Sequence, residues 1–260
     1  TVPIERVHWF AGAALALVVL ASLAERLPRR ASRLAFAPAV AAFALLIGAC
    51  ASDAHTYNAD GVRAYRAGPF ATAADLFAKA RAAHGQERVL VHCAMTSRRG
   101  KTLAFDKAAN RLVRLSTTDY EAGVQGVLIA SYRLASLAAE GMATLAPLED
   151  GERGSILLTA SVAAQDGQIG QVVYASAKAG VNGLVLPMAR DLSDLGIRVN
   201  SIMPGIFATP LMLGAAPKVL ESLSASVPFP KRLGKPEEFG SLALEIARNT
   251  YFNGQCVRLD

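Results

Sequence analysis

Ser161, Tyr174 and Lys178 are the residues of this 260-residue chain whose types and spacing best suit chemistry. Tyr174 and Lys178 stand four apart in the run Tyr174-Ala-Ser-Ala-Lys178-Ala-Gly180. On a helix that spacing puts phenol and ammonium on one face, so both project into the same cleft. A cation there favours the phenolate and lowers the tyrosine pKa from about 10 toward neutral pH. A phenol tuned in this way exchanges a proton with an alcohol or carbonyl oxygen. Ser161, closing an apolar strand upstream, would donate a hydrogen bond to that same oxygen. Together the three are equipment for moving a proton while another group moves a hydride.

Tyr-x-x-x-Lys alone is a weak signal, since exposed helices carry it by chance; the elements around it make it specific. Gly154-Ser-Ile-Leu-Leu-Thr-Ala-Ser161 reads as a buried strand ending in a small polar residue. A loop with Gly167 and Gly170 leads into the helix of Tyr174. A second apolar strand, Ile197-Arg-Val-Asn-Ser-Ile202, then runs into a Pro204-Gly205 turn and Thr209-Pro210. Strand, helix, strand is a βαβ unit, whose ligands sit beyond the carboxyl ends of the strands. Ser161, Tyr174 and Pro204-Gly205 all fall at that edge.

The same alternation extends through the chain. Further strands are predicted at Val7–Phe10, Leu34–Ala37, Val62–Arg66, Arg88–Val91 and Cys256–Asp260. Helices are predicted at Ala13–Leu27 and Ala71–Ala83, in Tyr120–Met142, and from Pro236 onward. Leu211–Phe229 reads as a segment covering the substrate, and Phe36–Cys50 stays open between helix and strand. The pattern predicts an α/β, Rossmann-like, doubly wound parallel sheet in three α/β/α layers, with right-handed crossovers. Residues 1–260 read as one domain, without repeat or low-complexity linker.

From Asp150 to Asp260 the sequence resembles the short-chain dehydrogenases/reductases, and among them the type 2 3-hydroxyacyl-CoA dehydrogenases (17β-hydroxysteroid dehydrogenase type 10). The likeness rests on Gly151-Glu-Arg-Gly, Thr159-Ala-Ser-Val-Ala-Ala164, Gly167-Gln-Ile-Gly-Gln171 and the Tyr174–Lys178 run. It continues through Leu186-Pro-Met-Ala-Arg-Asp-Leu192, Gly196-Ile-Arg-Val199 and Pro204-Gly-Ile-Phe-Ala-Thr-Pro210. Val227-Pro-Phe-Pro-Lys-Arg-Leu-Gly234 and Asn253-Gly-Gln-Cys-Val-Arg-Leu-Asp260 complete it, and the family continues past that point with glycines and a short tail. By this resemblance Ser161 orients the substrate, Tyr174 is the acid–base group, and Lys178 lowers its pKa and holds the nicotinamide ribose. Gln168 matches a position bordering the substrate. Gly12, Leu17, Cys93, Ala94, Tyr174, Lys178, Gly205, Phe207 and Thr209 match cofactor-binding positions. NAD is the implied cofactor, NADP the alternative, and a homotetramer the implied assembly.

The first half departs from the family at cofactor-facing places. The family's first strand leads into Thr-Gly-x-x-x-Gly-x-Gly, where bare backbone meets the pyrophosphate at a helix N-terminus. Here Val7-His-Trp-Phe-Ala-Gly12-Ala-Ala-Leu-Ala16-Leu-Val18 keeps only Gly12, and a valine at position 18 disfavours positive φ and crowds the phosphates. No acidic residue lies between Glu25 and Asp53 to bond the adenine ribose. His92-Cys-Ala-Met95 stands where the family has Asn-Ala-Gly or Asn-Cys-Ala-Gly. Gly126-Val127-Leu-Ile-Ala130 stands for its Val-Asn-x-x-Gly, with Gln125 the nearest amide.

Composition fits a globular enzyme: 52% of residues are hydrophobic, and a chain of this length buries roughly three-quarters of its unfolded surface. The 27 basic and 21 acidic residues leave a net charge of +6. Basic clusters at Arg26, Arg29, Arg30, Arg33 and at Arg98, Arg99, Lys101 read as solvated helix ends or as attraction for phosphate-bearing ligands such as CoA and dinucleotides. No aromatic interleaving of the kind that lines a nucleic-acid groove accompanies them. Cys50, Cys93 and Cys256 are too scattered for a disulfide or metal site, which fits a reducing, cytoplasmic setting. His8, His55, His84 and His92 form no ligand cluster, so no metal is expected; His92 is the one nearest the expected nicotinamide. Phe10–Ala24 and Leu34–Cys50 are apolar runs shorter than the roughly 20 residues of a spanning helix, and Pro38 interrupts the second. Ile47-Gly-Ala-Cys50 resembles a lipoprotein cleavage box, but buried helix and strand explain the same letters without a membrane.

These residues point to an NAD(P)-dependent oxidoreductase of fatty acid metabolism, interconverting a secondary alcohol and a ketone on a 3-hydroxyacyl-CoA or related hydroxy substrate. The alternative is a non-catalytic binding or scaffold protein on the same fold with a degraded cofactor site.

Overall fold

Four short runs rich in valine, isoleucine and leucine pair into a parallel sheet in the computed structural model, which describes residues 70–260. In chain order the elements are helix α1 (Phe70–His84), strand β1 (Val89–His92) and the hairpin strands β2 (Leu103–Asp106) and β3 (Arg111–Arg114). Helix α2 (Thr117–Val124) continues through a π turn (Gln125–Ile129) into α3 (Ala130–Met142). Strand β4 (Gly154–Thr159), helix α4 (Val172–Asp191) and strand β5 (Ile197–Pro204) form the expected βαβ unit. Helices α5 (Pro210–Leu213), α6 (Pro217–Ser226) and α7 (Pro236–Arg248) precede strand β6 (Cys256–Leu259). The sheet order is β1-β4-β5-β6, all parallel, with Val89 beside Ser155 and Gly154 beside Ile197.

Side chains alternate across β4, so its residues feed two cores. Ile156 and Leu158 pack with Val181, Met188 and Val199 on one face. Leu157 joins Val91, Ile202, Ala243 and Ile246 on the other. A sheet covered on both faces explains why β4 and β5 read as continuous apolar runs rather than alternating ones. On α4, Val173, Ala177, Val181, Val185 and Met188 recur at helical spacing and are buried. Each such valine contributes about 2 kcal/mol by leaving water. The three-layer α/β/α arrangement is therefore observed for the described residues. The predicted strands Val7–Phe10, Leu34–Ala37 and Val62–Arg66 lie outside them.

The helices begin where local chemistry starts them. Ser116 caps α2, its hydroxyl accepting from the Asp119 amide at 3.0 Å, and Asp119 sits in the positive first turn. Pro236 occupies the first position of α7, and the Glu238 carboxylate accepts from the Lys235 amide at 2.7 Å. Thr117–Met142 and Val172–Asp191 are long and apolar enough to cross a membrane, yet 50% and 39% of their most apolar windows are buried inside the protein. They are the helices that cover the sheet.

Two sequence expectations are corrected. The segment from Lys101 to Ser116, given no strand above, holds the antiparallel hairpin β2–β3 with Leu103 opposite Arg114. Its residues are exposed, so no core face imposed an alternation to read. Its turn is local: Asp106 Oδ1 accepts from the Ala108 and Ala109 amides at 2.9 and 3.1 Å, and Asn110 takes φ 46°. Strand β5 runs to Pro204 rather than stopping at Ile202, because β6 pairs with it as far as Leu259.

A buried cation joins the entry of β4 to the end of α7. Arg198 on β5 is 6% exposed and donates to Glu152 at 2.9 Å and to the carbonyls of Ile246, Ala247 and Phe252 at 2.8 Å each.

Candidate active site

The carboxyl ends of β1, β4 and β5 converge with the first turns of α4. Ala160 donates to Ile202 O at 2.8 Å, carrying β4's register one step past its end. Ser161 follows in extended backbone and caps a short 3-10 turn, its Oγ accepting from the Ala163 amide at 3.2 Å. The loop then turns at Gly170, where φ is +83°, a conformation glycine adopts without steric cost. Tyr174 enters in the first turn of α4, and Lys178 lies one turn further along. Lys178 is 4% exposed, and its Nζ donates to Thr159 O. That bond brings the ammonium to 5.9 Å from the Tyr174 ring centre. Ser161, at the end of β4, lies near enough to the phenol to favour its ionised form. The hydroxyl, phenol and amine singled out in the sequence are thus brought together.

Burial dominates the electrostatics of the three. Burial raises the Tyr174 pKa, while Ser161's hydrogen bond and the Arg99 charge each lower it. Lys178 is itself brought down to about 8 by burial, with Cys93 opposing. His92, 6% exposed at the end of β1, is lowered to about 4 by burial and by the Lys178 charge. It is held neutral beside a cation.

Both bases link stability to pH. Below pH 6.5 the unfolded chain protonates His92 and the folded one does not until about 4, so stability falls as pH drops through that window. His92→Asn is expected to flatten this slope in melting temperature between pH 4 and 6.5; an unchanged slope contradicts the assignment. For Lys178, stability rises with pH between about 8 and the unfolded value of 10.5, as the penalty for burying its charge disappears. Lys178→Met is expected to melt higher than the parent at pH 7 while losing at least about 100-fold in activity. Calorimetry with a turnover assay checks it, and a lower melting point overturns it.

Comparisons with known proteins agree with this geometry. A family profile described as Enoyl-(Acyl carrier protein) reductase matches residues 67–260. The 3-hydroxyacyl-CoA dehydrogenase type-2 of Drosophila melanogaster is 42% identical over 177 residues, 68% of each chain. The human protein of that name is 39% identical over 183 residues, 70% of this chain and 69% of its own. The crystal structure of 3-hydroxyacyl-CoA dehydrogenase type-2 from Mycobacterium avium superposes with a TM-score of 0.64 at 38% identity, over 72% of both chains. The chain belongs to the short-chain dehydrogenase/reductase family.

As a short-chain dehydrogenase/reductase it is an oxidoreductase that uses a nicotinamide cofactor, and the donor set at the sheet edge fits the nicotinamide end of one. Lys178 carries three N–H donors and, among the described residues, uses one on Thr159 O, leaving two for the hydroxyls of a ribose. Thr209 caps α5, its Oγ1 accepting from the Met212 amide at 3.4 Å, which leaves its own proton to donate. Phe207 is bridged to Gly234 and stacks edge-on to Phe239 at 6.4 Å. Gly205 donates to Leu259 O at 2.8 Å, and a Cβ on it would meet Asp260 at 2.5 Å. Cys93 is half-buried and accepts from Thr159 Oγ1 at 3.4 Å, and Ala94 is exposed beyond it. Gly12 and Leu17, along with Ala16 and Val18, lie outside the described residues.

Gln168 lines a cavity of about 380 Å³ formed by Gly167–Val172, Ala175 and the base of the hairpin at Gly100–Leu103. Two residues of this dehydrogenase/reductase site were not singled out from sequence. Thr159 anchors Lys178 with its carbonyl and Cys93 with its hydroxyl, and its place two residues before Ser161 was the available signal. Arg99 was noted only as part of a basic cluster.

Proposed function

We propose that this protein interconverts a 3-hydroxyacyl-CoA and the corresponding 3-ketoacyl-CoA with NAD, NADP being the alternative cofactor. The names of the similar proteins support the substrate class. The convergence of Ser161, Tyr174 and a buried, carbonyl-anchored Lys178 carries the reading. When bound, the nicotinamide supplies the hydride acceptor or donor. In the oxidation direction Ser161 donates a hydrogen bond to the substrate hydroxyl oxygen and fixes it against Tyr174. The Tyr174 phenolate accepts the hydroxyl proton, and in reduction the phenol returns it. Lys178, held by Thr159 O, keeps an ammonium one helical turn below the phenol. Closely packed apolar residues beneath the site, among them Ala160 and Ala177, exclude water from its floor.

The test is the formation of reduced nicotinamide, followed by absorbance, when the protein meets NAD and 3-hydroxybutyryl-CoA. Saturable turnover is expected. A protein that binds neither NADH nor NADPH at millimolar concentration would be the non-catalytic scaffold instead. A homotetramer in a reducing, cytoplasmic setting belongs to the same proposal, supported by the family resemblance and the exposed free thiol of Cys256. Light scattering expects about four chain masses, and a monomer contradicts it.

A further inference from the structure

Arg258 lies near the carboxyl end of β6, at the same rim of the parallel sheet as Ser161. Its Nη2 donates to Asp166 Oδ2 at 2.6 Å and its Nη1 to Gln165 Oε1 at 3.2 Å. Nε and Nη2 also grip the Asp260 carboxylate, at 2.8 and 2.7 Å. All three guanidinium nitrogens are engaged, in the planar fork that arginine presents.

One side of the fork holds the connection from Ser161 to Gln168. Gln165 and Asp166 end the 3-10 turn that Ser161 begins. In that turn the Ala163 amide donates to Ser161 Oγ, the Ala164 amide to Ser161 O at 3.0 Å, and the Asp166 amide to Val162 O at 2.8 Å. Because Ser161 Oγ accepts from Ala163, the turn decides where its own proton is free to point. Gly167 follows, pressed so closely on α4 that a Cβ there would meet that of Ala175 at 2.7 Å. Gln168 comes next and lines the cavity. The other side of the fork holds Asp260, which lies against the Gly205 turn. The guanidinium therefore joins the turn that begins at Ser161 to a turn at a cofactor-matching position.

We propose that Arg258 is a positioning residue: by holding Gln165 and Asp166 it fixes the turn that aims the Ser161 hydroxyl and Gln168 at the substrate. The proposal rests on Ser161 donating to the substrate oxygen. The bridge is exposed, 39% on the Arg258 side chain and 56% on that of Asp166, so it contributes little to overall stability. Its loss changes geometry instead, and a misplacement of about 1 Å can cost about 100-fold in rate.

The experiment compares Arg258→Gln, Asp166→Asn and the double variant in 3-hydroxybutyryl-CoA oxidation, NADH binding and amide hydrogen exchange. Arg258→Gln is expected to lower kcat/KM about tenfold. Asp166→Asn is expected to lower it too, and the double variant to fall no further than Arg258→Gln alone, because both remove one shared contact. The melting temperature drops by no more than about 4 °C. NADH affinity stays within about twofold, since the Gly205 amide keeps its bond to Leu259 O. Protection of the Ala163 and Ala164 amides falls about tenfold in Arg258→Gln, while that of β4 is unchanged. Exchange needs no substrate, so the two readings fail separately. A parent without turnover contradicts the substrate assignment, whereas unchanged protection in Arg258→Gln overturns the positioning role. Losses that multiply in the double variant also overturn it, as does faster exchange with kcat/KM intact, which would leave the bridge a surface contact only.

Discussion

Tyr174→Phe is expected to lower the rate of 3-hydroxyacyl-CoA oxidation by between about 100-fold and about 10,000-fold, the contribution of one positioned acid–base group. The ring stays, so the packing of the first turn of α4 stays with it. The hydroxyl that is lost interacts with Ser161, itself held by the Ala163 amide at 3.2 Å, so Ser161 keeps its place. The loss should fall on kcat, with affinity for the reduced cofactor changed no more than a few-fold, because Lys178 retains its anchor on Thr159 O. Steady-state kinetics beside a fluorescence titration of cofactor binding checks both. Turnover within a few-fold of the parent would remove Tyr174 from the mechanism.

Arg198→Ala is expected to be the most destabilising single change among the described residues. The guanidinium is 6% exposed and its 2.8 Å ion pair with Glu152 joins the entry of β4 to β5. Its other donors satisfy the carbonyls of Ile246 and Ala247 near the end of α7 and of Phe252 beyond it. Removing the cation leaves a largely buried carboxylate and those carbonyls without partners. Breaking a buried pair in this way costs about 3–5 kcal/mol. For a domain of this size that lowers the melting temperature by roughly 10 °C. Arg198→Lys should recover little, since a single ammonium cannot reach four acceptors in different directions. A melting temperature within about 2 °C of the parent would show the network to be ornamental. Activity at low temperature should persist, because no atom of this network touches Ser161, Tyr174 or Lys178.

The βαβ unit around these residues could be read from the sequence because burial dictates it. A strand covered on both faces, such as Gly154–Thr159, leaves a run of apolar letters, and α4 leaves buried residues at helical spacing. The site was readable for the same reason: Ser161 must end a strand, and Tyr174 and Lys178 must share a helix face. The hairpin of Leu103–Arg114 was not readable, since it packs into no core and its turn depends on Asp106 and Asn110 alone. The tuning of Tyr174 was half readable. Spacing places Lys178 near the ring, but only the fold shows its ammonium donating to Thr159 O. Burial, which raises the phenol's pKa, is a property of packing that no motif spells out.

Hydride transfer is tested most directly with 3-hydroxybutyryl-CoA carrying deuterium at the carbinol carbon, incubated with the protein and NAD, the nicotinamide then being weighed by mass spectrometry. Deuterium on the nicotinamide ring, formed by the parent and lost to at least about 100-fold in Tyr174→Phe, is the expected result. Deuterium that stays on the substrate, or is released to water, contradicts the assignment of this site as a dehydrogenase.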